Sequence, residues 1–214
     1  MNRRLIAALK VLSQASTKAW RSVNDIFLKN TDPFWKGDGV LGSGTYLRPD
    51  KPDFSFAWSW QNVGDDEVEE DLAREWYIVT EYKIQFKNLV TLDKTNTEEL
   101  WSNNFVGLEN NPLFKGKIQN EDISTLAKKK RYDGVWVRGD QDEVDGGNQI
   151  LIPTGNKLPY QTIKHYLVFK DKDIATQVAS SIGAKPKTIR DGYLVNASTS
   201  QESKIDTILA QHES

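Results

Sequence analysis

Cysteine is absent from the 214 residues, which excludes disulfides, thiolate zinc sites and thiol nucleophiles. Histidine is nearly so: only His165 and His212 occur. A three-histidine metal site is therefore impossible, and a Ser–His–Asp triad has only those two residues to draw on. Charge of one sign is also lacking, since 28 basic residues stand against 30 acidic ones. A strong phosphate binder usually shows a basic excess, so nothing demands a nucleic-acid partner. No apolar run reaches the length that spans a bilayer. Lys10 interrupts the only signal-like stretch, Leu5–Leu12, and no small-residue cleavage site follows it cleanly.

What is present suits a folded domain. Seven Trp and eight Phe supply large apolar surfaces, and 38% hydrophobic residues are too many for a disordered chain. There are no repeats and no low-complexity tracts. Leu5, Ile6, Leu9 and Leu12 fall at helical spacing, so residues 3–29 read as one or two helices. Residues 30–53 are rich in Gly, Asp and Pro and read as a loop with a short strand near Thr45–Arg48. Residues 54–62 are aromatic, and 65–71 form an acidic exposed stretch. Trp76–Phe86 alternates apolar and polar residues and gives the clearest strand. A helix is expected over Asn120–Lys130, capped by Asn120 or Asp122, with Lys128–Arg131 as its solvated basic end. Tyr132-Asp133-Gly134 then opens a strand through Val135-Trp136-Val137. Gly139–Asn148 reads as an acidic loop, and Gln149–Ile152 and His165–Lys170 as short strands. Asp171 caps a helix that Gly183 ends. A strand with an Asp191-Gly192 turn and a closing helix, Ser200–Gln211, complete the chain. Helices and strands do not alternate tightly, so the class is α+β.

Several segments, taken in order, resemble the ADP-ribosyltransferase superfamily. Gly42-Ser43-Gly44-Thr45-Tyr46-Leu47 is similar to a family strand whose tyrosine packs against nicotinamide. Glu81–Leu89 resembles a second family strand. Tyr132–Leu158 resembles the closing half of the fold, in which a Tyr-Asp-Gly strand leads through a loop to a strand beginning with the catalytic glutamate. The resemblance covers about residues 25–170. It implies a split antiparallel sheet with a helical N-terminal lead (1–29) in a domain of residues 1–170, and a small strand–helix extension over 171–214. It also implies NAD as donor substrate, no metal, a macromolecular acceptor (a protein rather than a nucleic acid), and a setting in the cytoplasm or inside a host cell after delivery, with bacterial toxins and phage factors among the users of the scaffold.

The site implied by the resemblance has Gln149, Glu143 and Tyr46 as catalytic residues. Asn30, Thr31, Gly42, Gly44, Thr45 and Tyr46 would bind the dinucleotide. Two departures from the family pattern matter. No His precedes residue 165, and the first motif, usually a His or Arg, would fall on residues 26–31, with Arg21 reaching a phosphate from a helix. Gln149 stands where the family has glutamate, which implies altered chemistry, a lost reaction or an introduced substitution. Cleaving the nicotinamide–ribose bond creates an oxocarbenium-like centre, and an amide gives it no negative charge. Glu143, Asp142 and Asp145 are the nearby acids that could replace it.

Each residue also has a plainer reading. Tyr46 and Trp136 can be packing residues, Gly42 and Gly44 an ordinary turn, Gln149 an exposed strand residue, and His165 a satisfied structural histidine. Three functions follow: an ADP-ribosyl transferase, an interaction module that keeps the fold without the reaction, and a nucleic-acid enzyme gripping phosphate through Lys128–Arg131.

Overall fold

A computed structural model of the chain describes residues 15–23, 34, 37–39, 41–49, 76–93, 111–115, 121–138 and 148–212. It is mixed α and β, and strands predominate. The strands are β1 Ala15–Val23, β2 Gly37–Gly39, β3 Gly42–Leu47, β4 Trp76–Phe86, β5 Leu89–Asp93, β6 Gly134–Arg138, β7 Asn148–Pro153, β8 Tyr160–Phe169, β9 Lys187–Ile189 and β10 Gly192–Ala197. The helices are α1 Ile123–Lys129, α2 Lys172–Ser181 and α3 Glu202–Leu209, the last entered through a 3-10 turn at Thr199–Gln201. Ten strands form two five-stranded sheets, ordered β1-β4-β8-β10-β9 and β2-β3-β7-β6-β5.

The chain divides into two compact units. One comprises Met1–Ala19, Pro33–Asp50 and Lys83–Gln161, and the other Trp20–Asp32, Lys51–Tyr82 and Thr162–Ser214. In the first unit, β7 lies between β3 and β6 and pairs antiparallel with both. Ile150, Leu151 and Ile152 are buried in sequence, so both faces of β7 are covered. That explains its unbroken apolar run, which a half-solvated strand would not need. β5 joins β6 in parallel, and α1 lies between them in sequence, as a parallel connection requires.

Local chemistry fixes α1. Asp122 caps it by accepting from Thr125 N at 2.7 Å. Ile123, Leu126 and Ala127 turn inward onto Val90, Leu92, Val135, Val137 and Leu151. The basic end behaves as the sequence suggests: Lys128 and Lys129 occupy the last turn, where cations complement the dipole. Lys129 pairs with Glu121, and Lys130 Nζ donates to the Pro112 and Lys115 carbonyls at 3.1 and 2.5 Å. Asp133 of the Tyr-Asp-Gly step has a structural task. Its two oxygens accept from Lys87 N at 2.7 Å and Asn88 N at 3.0 Å, clasping the turn between β4 and β5.

In the second unit, α2 and α3 cover one sheet face, where Trp76, Ile78, Leu167, Phe169 and Val195 meet Val178, Ile205 and Leu209. Asp171 caps α2 through Asp173 N and Ile174 N at 2.7 and 2.9 Å. Residues 171–214, read as an extension, supply α2, β9, β10 and α3 to this unit. The turn expected at Asp191-Gly192 lies one residue earlier: Arg190 and Asp191 join β9 to β10, and Gly192 already pairs with Ile189.

The largest correction concerns the start of the chain. Residues 15–23, expected within the helical lead, form β1 beside β4. Thr17, Trp20 and Val23 favour strands, and hydrogen bonding to β4 outweighs the modest helical preference of the neighbouring residues. The Leu5–Leu12 pattern and the segments 54–62 and 65–71 lie outside the described residues. Among the described residues no helix is long and apolar enough to cross a membrane.

His165 takes its structural reading. It is 8% exposed, and its Nδ1 lies 3.0 Å from Thr80 Oγ1. Burial lowers its pKa below the ordinary 6.5. The unfolded chain therefore binds a proton more readily than the fold does. The contribution is whole above about pH 6.5 and is lost as pH falls below it. Melting temperature should fall on acidification through that window, and His165→Gln should flatten the slope.

Candidate functional site

Three motif segments come together in one sheet: β3 with the Gly/Tyr motif, β6 after Tyr-Asp-Gly, and β7 with Gln149 are contiguous. The register then decides which side chains can act together. Tyr46 opposes Leu151, and Gln149 opposes Val137. Side chains alternate along a strand, so Tyr46, Leu151, Gln149 and Val137 all point to one face. Tyr46 and Gln149 are thus diagonal neighbours on adjacent strands.

That shared face is the one α1 covers. Leu151 and Val137 pack against Ile123, Leu126 and Ala127, and Tyr46 lies against the same cluster. Gln149 is 5% exposed; the reading of it as an exposed strand residue is corrected, because this face carries the core. The hydroxyl of Tyr46 accepts from Leu41 N at 3.1 Å and donates to the Gly42 carbonyl. The ring is half-buried against apolar side chains and the hydroxyl holds the turn that opens β3, so the structure gives Tyr46 the packing role.

The spaces beside the two glycines are filled by protein. Gly42 has φ +98°, and a Cβ there would stand 2.3 Å from Asp122 Oδ1, the helix cap. A Cβ on Gly44 would stand 2.4 Å from Leu151 Cδ1 and 2.6 Å from the Ile152 carbonyl oxygen. Both absences of a side chain thus serve the approach of α1 and β7. Asp122→Ala should cost about 1 kcal/mol through the lost cap, measured by denaturant unfolding. Thr45 is buried and opposes Ile152, so it faces away from Tyr46. The two cannot line one groove through their side chains. Asn30, Thr31 and Glu143 lie outside the described residues.

The opposite face of β6 and β7 carries a constellation that motif reading missed. Asn148 opposes Arg138, and Trp136 opposes Ile150. Trp136 Nε1 donates to Asn148 Oδ1 at 2.8 Å, and the Arg138 guanidinium lies 4.4 Å from the Trp136 ring centroid. Trp136 and Asn148 are half-buried and Arg138 is exposed. An aromatic face, an amide and a guanidinium therefore meet at the open end of this face. The signal in the sequence was the period of two: Trp136, Arg138 and Asn148 share a face once β6 and β7 pair.

No family model, curated protein or solved structure matches this chain.

In the second unit, Arg21 is a strand residue on β1 and is buried, which replaces its expected place on a helix. Across the β4–β8 pair, Tyr166 donates to Glu81 Oε2 at 2.6 Å. Burial, reinforced by Glu81, pushes the Tyr166 phenol well above its usual 10. The pair stays a neutral donor on a carboxylate and braces the strands. Among the described residues, no group of three or more His, Asp or Glu is placed to hold a metal ion.

Proposed function

We propose that this chain is an ADP-ribosyltransferase-type domain that carries ADP-ribose from NAD+ to a macromolecular acceptor, a protein rather than a nucleic acid, and that its turnover is slow. The observation that carries the reading is the adjacency of β3, β6 and β7. Segments that match the family only weakly by themselves become neighbours in a single sheet. A further observation supports it: the described strands separate into two sheets, as a split-sheet fold requires.

We take Asn148 rather than Gln149 as the ligand-facing residue at the start of β7, a choice the opposite facing of the two side chains supports. Asn148 is half-buried beside Trp136 and Arg138, whereas Gln149 lies in the core. In this reading a flat cationic ring takes the place of the Arg138 guanidinium on the π face of Trp136. The displaced Arg138 offers a charged fork for phosphate. Asn148 hydrogen-bonds a ribose hydroxyl. Neither amide brings negative charge to the oxocarbenium-like centre, so the main electrostatic contribution to the rate is missing. The test is incubation with labelled NAD+ at high protein concentration. Thermal stabilisation by NAD+ with slow nicotinamide release is expected. No stabilisation and no release would refute the reading.

A second reading, an interaction module that keeps the fold without the reaction, is favoured by the paired amides Asn148 and Gln149 and by the protein atoms beside Gly42 and Gly44. It predicts no turnover even after a carboxylate is restored.

A further inference from the structure

Far along the sequence from β3, β6 and β7, the start of α3 presents two carboxylates one helical turn apart, Glu202 and Asp206. Glu202 is 8% exposed, and its Oε2 is shut off from water with no hydrogen-bond partner. Leaving a carboxylate oxygen buried and unpartnered is costly, which is why such atoms are rare. Burial, and then the charge of Glu202, raise the pKa of Asp206. Among the described residues neither carboxylate has a lysine or arginine partner. The pair thus stands partly desolvated without a counter-charge.

The surroundings are oxygen-rich. Thr199, Ser200, Ser203 and Thr207 line, with the two acids, a depression of about 600 Å³. Oxygen-only donor sets select hard cations over transition metals. The site has two carboxylates rather than three or four, and an open mouth. Water can complete the shell of either hard cation there, but the irregularly placed hydroxyl oxygens suit the larger, flexible shell of calcium better than the compact octahedron that magnesium demands.

We propose that this depression binds a hard divalent cation of the calcium class, held between Glu202 and Asp206, with hydroxyl and water oxygens completing its shell. The cation gives the Glu202 carboxylate the counter-charge it lacks and cancels the repulsion between the two acids. It also fastens the first turn of α3, whose preceding residue Gln201 already donates to the Ile182 carbonyl at 3.0 Å. With only two charged ligands the affinity falls at the weak end, a Kd of about 10⁻⁴–10⁻³ M.

The test uses the full chain, stripped with chelator and titrated with calcium chloride. At about ten times Kd, melting temperature should rise by roughly 3–6 °C, and calorimetry should give one site. Glu202→Gln and Asp206→Asn should each weaken calcium binding by about tenfold or more, since affinity follows the charge of the ligand set. Both replacements keep side-chain size, and Asp206→Asn removes a repulsion, so at least that variant remains folded for the titration. Three outcomes overturn the proposal: no shift and no heat at about 10 mM calcium, an order above the weakest such sites; the same shift from sodium chloride at matched ionic strength; or calcium binding unchanged in Asp206→Asn.

Discussion

Asn148→Glu is expected to raise NAD+ consumption by about 10²–10³, the usual worth of one well-placed electrostatic group in a transition state. The carboxylate would start β7 on the side of Trp136 and Arg138, where Asn148 already accepts from the indole N–H at 2.8 Å. A glutamate oxygen can accept the same bond, so the indole keeps a partner. Gln149→Glu should behave differently although it is the change the family pattern suggests. Gln149 is 5% exposed on the face that α1 covers. A carboxyl buried there has its pKa raised by desolvation. Its folded pKa then exceeds the unfolded value of about 4.3, so the variant loses stability relative to wild type as pH rises above that value and until the folded pKa is passed. At neutral pH the penalty should be about 2–4 kcal/mol, with little gain in turnover. Nicotinamide release and melting curves for the two variants separate the cases. Activation by Gln149→Glu and not by Asn148→Glu would mean that the ligand lies on the other face.

Gly44→Ala is expected to be the most damaging single methyl group in the first unit. The new Cβ would stand 2.4 Å from Leu151 Cδ1 and 2.6 Å from the Ile152 carbonyl oxygen. Leucine can turn aside, but the carbonyl belongs to the β3–β7 ladder and moves only if the strands part. Overpacking of this kind costs about 3 kcal/mol, which for a chain of this size lowers melting temperature by roughly 6–12 °C. The experiment is a denaturant series with the slope checked against wild type. A loss under about 1 kcal/mol would mean that β3 and β7 are not paired in this register.

How much of this was legible beforehand depends on how local the cause is. β4 could be read to its exact bounds because it is long and rich in β-formers, with alternation over Tyr82–Phe86. α1 and α2 were readable because Asp122 and Asp171 are caps within three residues of the amides they satisfy. β1 was not, because what makes residues 15–23 a strand is a partner more than fifty positions away, and Ser22 Oγ reaches the Ile78 carbonyl at 3.3 Å. The site failed for a different reason. The sequence shows that Asn148 and Gln149 face opposite ways, yet which of the two is buried depends on where α1 packs. A shift of one residue exchanges the buried and the half-exposed side chain. The same limit applied to Gly42 and Gly44: a Gly-x-Gly pattern signals close approach but does not tell whether a ligand or the protein approaches.

The most direct test is a crystal of the chain grown or soaked with NAD+ at saturating concentration. The nicotinamide end should lie against the indole of Trp136, with the Asn148 amide within hydrogen-bond distance of the adjoining ribose. Clear density for the dinucleotide anywhere else, or an undisturbed Trp136–Asn148–Arg138 surface at saturation, would contradict this placement.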